Sequence, residues 1–410
     1  LMIQSIRSLE KSTLTRTIFW LAVVVMGIVS AQHVVSLVNA VSDGNGARVG
    51  LDYRAFLAAG ELIRSGNSHL LYEPTSVEFL ALAQVGFVYP PWAALFMVPW
   101  TFLPVGVGLV VWTAVGLGAA VSGLYACGVR DWRPATLALV SFPSVFALGL
   151  GQSTFLFVGV VGFSVASMMK ARSTRSGVWL ALAGWKPHLL GGFALLWIAD
   201  PRRWTSQIMA AASTTALLVV ASAIALPGSW SSWLAFLFDS VNELASAVLE
   251  ASLPGMVSLL IGSLSPIRWL ISGVLAIGIV IGVVTALRRR RSSIEASLAL
   301  AMGAWLLIVP HVVVYDVLIL VIPLSIAFHT HLRRDVVISG TMLAFGLSIG
   351  PRVTQMQLDR FGRAIDPSTL ALIGAVSLFA YWVWAGDRFF HSDEPTHDSM
   401  AAGRHRSDVS

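Results

Sequence analysis

PIRWLISGVLAIGIVIGVVTALRRRR occupies residues 266–291. Up to Leu287 the stretch holds one charge, Arg268, and the last four residues are all arginine. A continuous apolar run of this length is what a helix needs to cross a hydrocarbon layer about 30 Å thick. A barrel strand would alternate apolar and polar residues, and this run does not. Arginines massed at one end mark the cytoplasmic side, because Lys and Arg are retained in cytoplasmic loops.

The rest of the chain repeats the pattern. Of 410 residues, 56% are hydrophobic and 12% charged, and the mean hydropathy is +0.78. Soluble domains carry about 25% charged residues. A water-facing globular enzyme, a disordered chain and a nucleic-acid module are therefore excluded. Apolar runs fall at 18–41, 88–103, 106–128, 134–149, 151–169, 177–199, 206–227, 266–287, 295–309, 311–328, 336–350 and 367–385. The expected fold is an all-α polytopic bundle of about twelve transmembrane helices. Residues 1–386 read as one membrane domain, and 387–410 as a disordered cytoplasmic tail. The first run lacks a small-residue cleavage site and reads as a retained anchor. The lone cysteine, Cys127, cannot form an internal disulfide. No internal repeat is visible. Gly116-Leu117-Gly118 reads as close helix packing in lipid.

The net charge of +6 and pI near 9.9 report topology rather than nucleic acid. Arg7, Lys11 and Arg16 place the N-terminus in the cytoplasm. Twelve crossings put Arg202–Arg203, Arg288–Arg291 and Arg333–Arg334 there as well, but leave Arg130–Arg133 and Lys170–Arg175 outside. Either a span is miscounted in 88–169, or Arg130, Arg133, Lys170, Arg172 and Arg175 work at the outer face. In the second case they would hold an anionic lipid headgroup. Two long outer loops, 43–87 and 228–265, are the expected place for function.

In the first loop, Leu51 to Arg64 has helical spacing and suits a helix at the interface, with Arg54, Glu61 and Arg64 toward water. Asp52 stands at its start. It reads either as an N-cap, favoured by the helix dipole, or as a general base at the membrane edge. Phe87-Val88-Tyr89-Pro90-Pro91-Trp92 follows. The prolines stop any earlier helix, and Pro91 can open the next. Trp92 fits an interfacial anchor. Tyr89 also fits a belt, or presents its hydroxyl to a polar substrate. Deeper in the chain, Lys186 is either a snorkelling lysine or a cation lining a cavity at the break made by Pro187. Asp316, one turn beyond His311, needs a partner, for which Lys186 and a backbone donor are candidates. No zinc, P-loop or dinucleotide motif occurs, and Glu61, Glu73 and Glu78 lack a metal-site pattern.

The aspartate of the first outer loop, Leu71-Tyr72, and Phe87-Val88-Tyr89-Pro90-Pro91 together resemble glycosyltransferase family 87. Gly149-Leu150-Gly151-Gln152-Ser153, Trp185-Lys186-Pro187, and Val309-Pro310-His311 with Tyr315-Asp316 agree in order. The resemblance implies a GT-C-type bundle with outer-face loop helices. It implies an inverting transfer of mannose from polyprenyl-phosphate mannose, at the outer face of the plasma membrane. Within the family it points to an α-1,2 linkage onto a mannosylated phosphatidylinositol. The implied catalytic residues are Asp52 and His311. The implied donor- or acceptor-binding residues are Tyr89, Gln152, Lys186, Tyr315, Arg54 and Arg64. No cofactor and no metal are expected, and the partners are the lipid-linked sugar, an anionic glycolipid acceptor and membrane lipids. A lipid or solute transporter, and a related GT-C enzyme with a pentose donor, are the alternatives.

Overall fold

The computed structural model describes residues 17–390 apart from 18–19, 22, 36–38, 40–48, 74–75, 77–82, 84, 241–246, 263–264, 290–291 and 329–332. Arg7, Lys11, Arg16, Glu78 and the tail from 391 onward lie outside the described residues. Among the described residues every regular element is helical, and the one antiparallel bridge joins Glu250 to Val313.

Helices α1 (Val23–Val35) and α2 (Leu51–Arg64) come first. Helix α3 (Pro91–Leu95) does start at Pro91, and a 3-10 turn, Val98–Phe102, follows it. Pro104 then caps α4 (Val105–Ala126). Prolines 90, 91, 99 and 104 thus break the run expected to cross at 88–103. The broken stretch packs under α2, where a methyl on Gly60 would meet the Met97 carbonyl oxygen at 2.7 Å. It does not cross.

Next come α5 (Arg133–Val140) and α6 (Phe142–Leu150), bent by 62° at Ser141, and α7 (Thr154–Met169). Helix α4 runs parallel to α7 with backbones in contact. A methyl on Gly159 would lie inside the Ala119 backbone, and one on Gly162 inside that of Gly123. Small residues permit this approach in lipid. The packing tract is Gly123, Gly159 and Gly162; Gly116 makes only ordinary contact and Gly118 faces open space.

Helix α8 (Ser173–Leu182), two 3-10 turns (Ala183–Trp185 and Pro187–Leu189) and α9 (Gly191–Ala199) follow, then α10 (Pro201–Ala225). One side chain fixes their path. Gln207, near the start of α10, donates to Ser176 Oγ at 2.7 Å and accepts from Trp197 Nε1 at 2.7 Å. The start of α8 and the end of α9 therefore lie together. The run expected to cross at 177–199 is a hairpin that enters and returns, with Trp185-Lys186-Pro187-His188 at its tip.

The chain closes with α11 (Ser229–Ser240), α12 (Leu253–Ile261), α13 (Ile267–Arg289), α14 (Ile294–Ile308), a 3-10 stretch (Val314–Leu320), α15 (Val321–Ala327), α16 (Arg333–Phe361) and α17 (Pro367–Phe390). Helix α17 includes residues 387–390, which were expected to open the tail. Among the described residues, five helices are long and apolar enough to cross a membrane, or six if α5 and α6 form one bent span. Leu217, Ile224, Leu270 and Ile277 are each more than 60% exposed. Such faces need lipid, not water. Helices α7 and α14 and the stretch 314–327 are shorter and mostly buried, so neighbouring helices shield them.

Two breaks that fail to cross restore the charge pattern. Lys170 Nζ donates to the Ala126 carbonyl at 3.3 Å, and Arg288 donates to the carbonyls of Ile198 and Ala199. Arg133 lies over the Phe328 ring at 5.5 Å. The cations at 130–133, 170–175, 202–203 and 288–289 thus gather at one end of the bundle. Of the two readings of Arg130, Arg133, Lys170, Arg172 and Arg175, this placement agrees with a miscounted span, since neither 88–103 nor 177–199 forms one continuous helix through the bundle.

Candidate active site

At the opposite end, two glycines set the first carboxylate. Gly50 and Gly151 adopt φ of 71° and 67°, a left-handed conformation that favours glycine. Gly50 caps α2 and its N–H donates to the Gly149 carbonyl at 2.8 Å. Gly151 ends α6, with the Gln152 N–H closing back onto the Ala147 carbonyl at 2.9 Å. Trp112 Nε1 holds the Gly151 carbonyl at 3.0 Å. A side chain on Gly151 would strike Tyr53 and Leu109. The starts of α2 and α7 are locked together, bringing Asp52 to Gln152.

Asp52 is not an N-cap. No side chain caps α2, and Asp52 lies in its first turn. Its Oδ2 instead accepts from Gln152 Nε2 at 2.8 Å. The same nitrogen donates to the Tyr315 hydroxyl at 2.9 Å, and Gln152 Oε1 accepts from the Tyr89 hydroxyl at 3.2 Å. Burial pushes the Asp52 carboxyl up to about 6. The Gln152 hydrogen bond and the Lys186 charge pull the other way, and Asp316 adds to the rise.

Lys186, at the hairpin tip, is 2% exposed and donates to Asp316 Oδ1 at 2.8 Å. It does not snorkel. Asp316 Oδ2 also accepts from the Val313 N–H at 3.2 Å, so both expected kinds of partner are present. The ammonium stands 5.0 Å from the Tyr315 ring centroid, which joins this pair to the Gln152 set. Asp52, Tyr89, Gln152, Tyr315, Lys186 and Asp316 thus form one connected polar centre.

His311 lies beside that centre rather than in it. It is on the turn leading into the Tyr315–Asp316 stretch, and its Nδ1 is 3.2 Å from Glu250 Oε1. Glu250 escaped the sequence reading. The bridge to Val313 brings it in. Arg54 is half-buried near the Val49 carbonyl, two residues from Asp52. Arg64 is elsewhere: it forms a surface pair with Glu61 at 2.6 Å, about 18 Å along α2 from Asp52.

Tyr89 also lines a cavity of about 290 Å³ walled by Phe56, Phe87, Trp92, Trp100, Trp112 and Trp185, among others. Trp92 is therefore a buried wall residue rather than an interfacial anchor; it is 6% exposed. Trp185 is fixed by donating to Ser153 Oγ at 3.1 Å. Among the described residues, no three His, Cys, Asp or Glu side chains converge as a metal-holding group.

A model of glycosyltransferase family 87 matches residues 87–310, more than half of the chain. The chain belongs to glycosyltransferase family 87. The matched stretch contains Tyr89, Gln152 and Lys186 and ends at Pro310, so His311 and Tyr315 lie just past its end and Asp52 lies well before its start. No curated protein and no solved structure matches the chain. Family membership makes the molecule a membrane-embedded glycosyltransferase and decides against the transporter.

Proposed function

We propose that this family 87 enzyme is an inverting mannosyltransferase. It moves mannose from polyprenyl-phosphate mannose to a mannosylated phosphatidylinositol, in α-1,2 linkage, at the outer face of the plasma membrane. The observation that carries the reading is Asp52, an ionisable carboxylate held by Gln152 beside an aromatic cavity that shares Tyr89. Aromatic walls suit the first isoprene units of a lipid carrier. Basic residues massed at the other end support a cytoplasmic location there, which leaves the polar centre outside.

In the reaction, Asp52 takes the proton of the acceptor hydroxyl while that oxygen attacks the anomeric carbon. The carbon–oxygen bond to phosphate breaks on the opposite face, and polyprenyl phosphate leaves with the bonding pair. One displacement turns a β-linked donor into an α-linked product. Lys186 is engaged by Asp316, so its charge acts at a distance and stabilises the ionised Asp52. His311, 40% exposed, donates to the departing phosphate. Arg54 meets the anionic acceptor at the rim. The chemistry asks for no cofactor.

Purified enzyme incubated with polyprenyl-phosphate mannose and a mannosylated phosphatidylinositol should yield the α-1,2 product. Asp52→Asn should lower kcat by about 10²–10⁴-fold, the span of general-base contributions. Transfer that survives in Asp52→Asn sinks the proposed base. Turnover of a prenyl-phosphate pentose but not of the mannose donor would reassign the sugar, since a scaffold does not read the sugar by itself.

A further inference from the structure

Glu250 is a buried acid whose side chain, among the described residues, makes one hydrogen bond. Its side chain is 6% exposed, and its Oε1 lies 3.2 Å from His311 Nδ1. The placement is built from several directions. Glu250 bridges to Val313, and the Ala251 N–H donates to the Val312 carbonyl at 2.8 Å. Ser252 then caps α12 by accepting from the Gly255 N–H at 3.3 Å. Gly255 leaves room for the carboxylate: a methyl there would stand 2.7 Å from Glu250 Oε2. The His188 ring faces His311 from the hairpin tip, with centroids 6.1 Å apart.

A buried carboxylate needs a proton donor, and here the imidazole supplies it. With Glu250 as a carboxylate, which only accepts, the 3.2 Å contact places the proton on Nδ1. The ring is turned so that Nε2 points away from Glu250. A histidine ordered in this way by an acid is a recurrent means of fixing tautomer and direction together.

We propose that Glu250 is a positioning residue. It brings the second outer loop to the reaction by holding His311 with its proton on Nδ1 and Nε2 free for the departing lipid phosphate. This rests on the role given above to His311. Glu250 itself touches neither substrate.

The test uses the full-length enzyme in nanodiscs with polyprenyl-phosphate mannose and mannosylated phosphatidylinositol. Glu250→Gln should lower kcat by about 10- to 100-fold, the usual cost of losing an orienting partner, with the acceptor KM within about twofold. In a His311→Ala background the same change should cost nothing more, because residues acting as a unit are not additive. Gly255→Ala keeps both ionisable groups but displaces the carboxylate, so it should lower kcat in the wild-type background alone. Nitrogen NMR of labelled histidine, with His311→Ala identifying the signal, should show Nδ1–H in the wild type and its loss in Glu250→Gln. Wild-type kcat in Glu250→Gln, or losses that add to those of His311→Ala, overturns the proposal. Asp52→Asn separates the two levels. If it is inactive while Glu250→Gln is normal, only the role of Glu250 fails; if it is active, the mechanism beneath fails.

Discussion

Asp52 sits among neighbours that pull its proton in opposite directions. Burial and Asp316 favour the acid, while Gln152 and Lys186 favour the anion, and the balance is a carboxyl at about 6 against 3.8 for an ordinary aspartate. A base must be ionised to work, so kcat/KM should climb with pH through about 6 and level off above it. Gln152 donates to the ionised form, so removing it favours the proton. In Gln152→Ala the rise should move to higher pH. At pH 6 the variant should lose about 7- to 80-fold in kcat/KM, since a hydrogen bond to a charge is worth about 1.5–3 kcal/mol. A pH–rate profile that keeps its midpoint in Gln152→Ala would show that the amide does not hold the carboxylate. Asp52 and Tyr89 were legible in the sequence because a polar residue at a helix start or beside proline is conspicuous in an apolar chain, whereas Gln152 was legible only through the family resemblance. Glu250 was not: only the pairing of two loops 61 residues apart gives that acid a partner.

Among the elements, the hairpin of α8 and α9 depends most on one contact. Its tip carries Lys186, and the pair with Asp316 is the price of placing an ammonium inside the bundle. Breaking such a pair by removing one partner leaves an uncompensated buried charge and costs about 3–5 kcal/mol. Lys186→Met and Asp316→Leu should each lower the thermal midpoint in nanodiscs steeply. The double variant should recover most of that loss, and because it removes both Lys186, which favours ionised Asp52, and Asp316, which opposes it, its transfer should fall less than that of Lys186→Met. Equal midpoints for single and double variants would contradict the coupling. The hairpin also shows where periodicity misleads. Residues 177–199 are apolar enough for a crossing, and composition alone cannot tell a crossing from an entry and return. The signal that was present, Lys186-Pro187 in mid-run, read as a cavity rather than as a reversal. The same holds for 88–103, whose prolines announced a break but not the side on which the chain stayed.

For the whole molecule, cations and polar centre occupy opposite ends, which turns topology into a direct test. Cys127 is buried and is the chain's one cysteine, so Cys127→Ser supplies a background for labelling. Single cysteines at Arg130, Lys170 and Arg202 should react from the cytoplasmic side, and one at Asn67 from the outside. Outside labelling at Lys170 would restore twelve crossings and undo the parity argued from the two breaks. The Lys186–Asp316 contact also imposes an order in time. The partners are 130 residues apart, and at about 5–20 residues per second the ribosome needs roughly 7–26 s to supply the second after the first. Until then, a bilayer-inserted tip would carry a lone charge worth about 2.5–3.5 kcal/mol against insertion. The polar centre is therefore complete only once the chain has been made through residue 316, long after its aspartate at position 52.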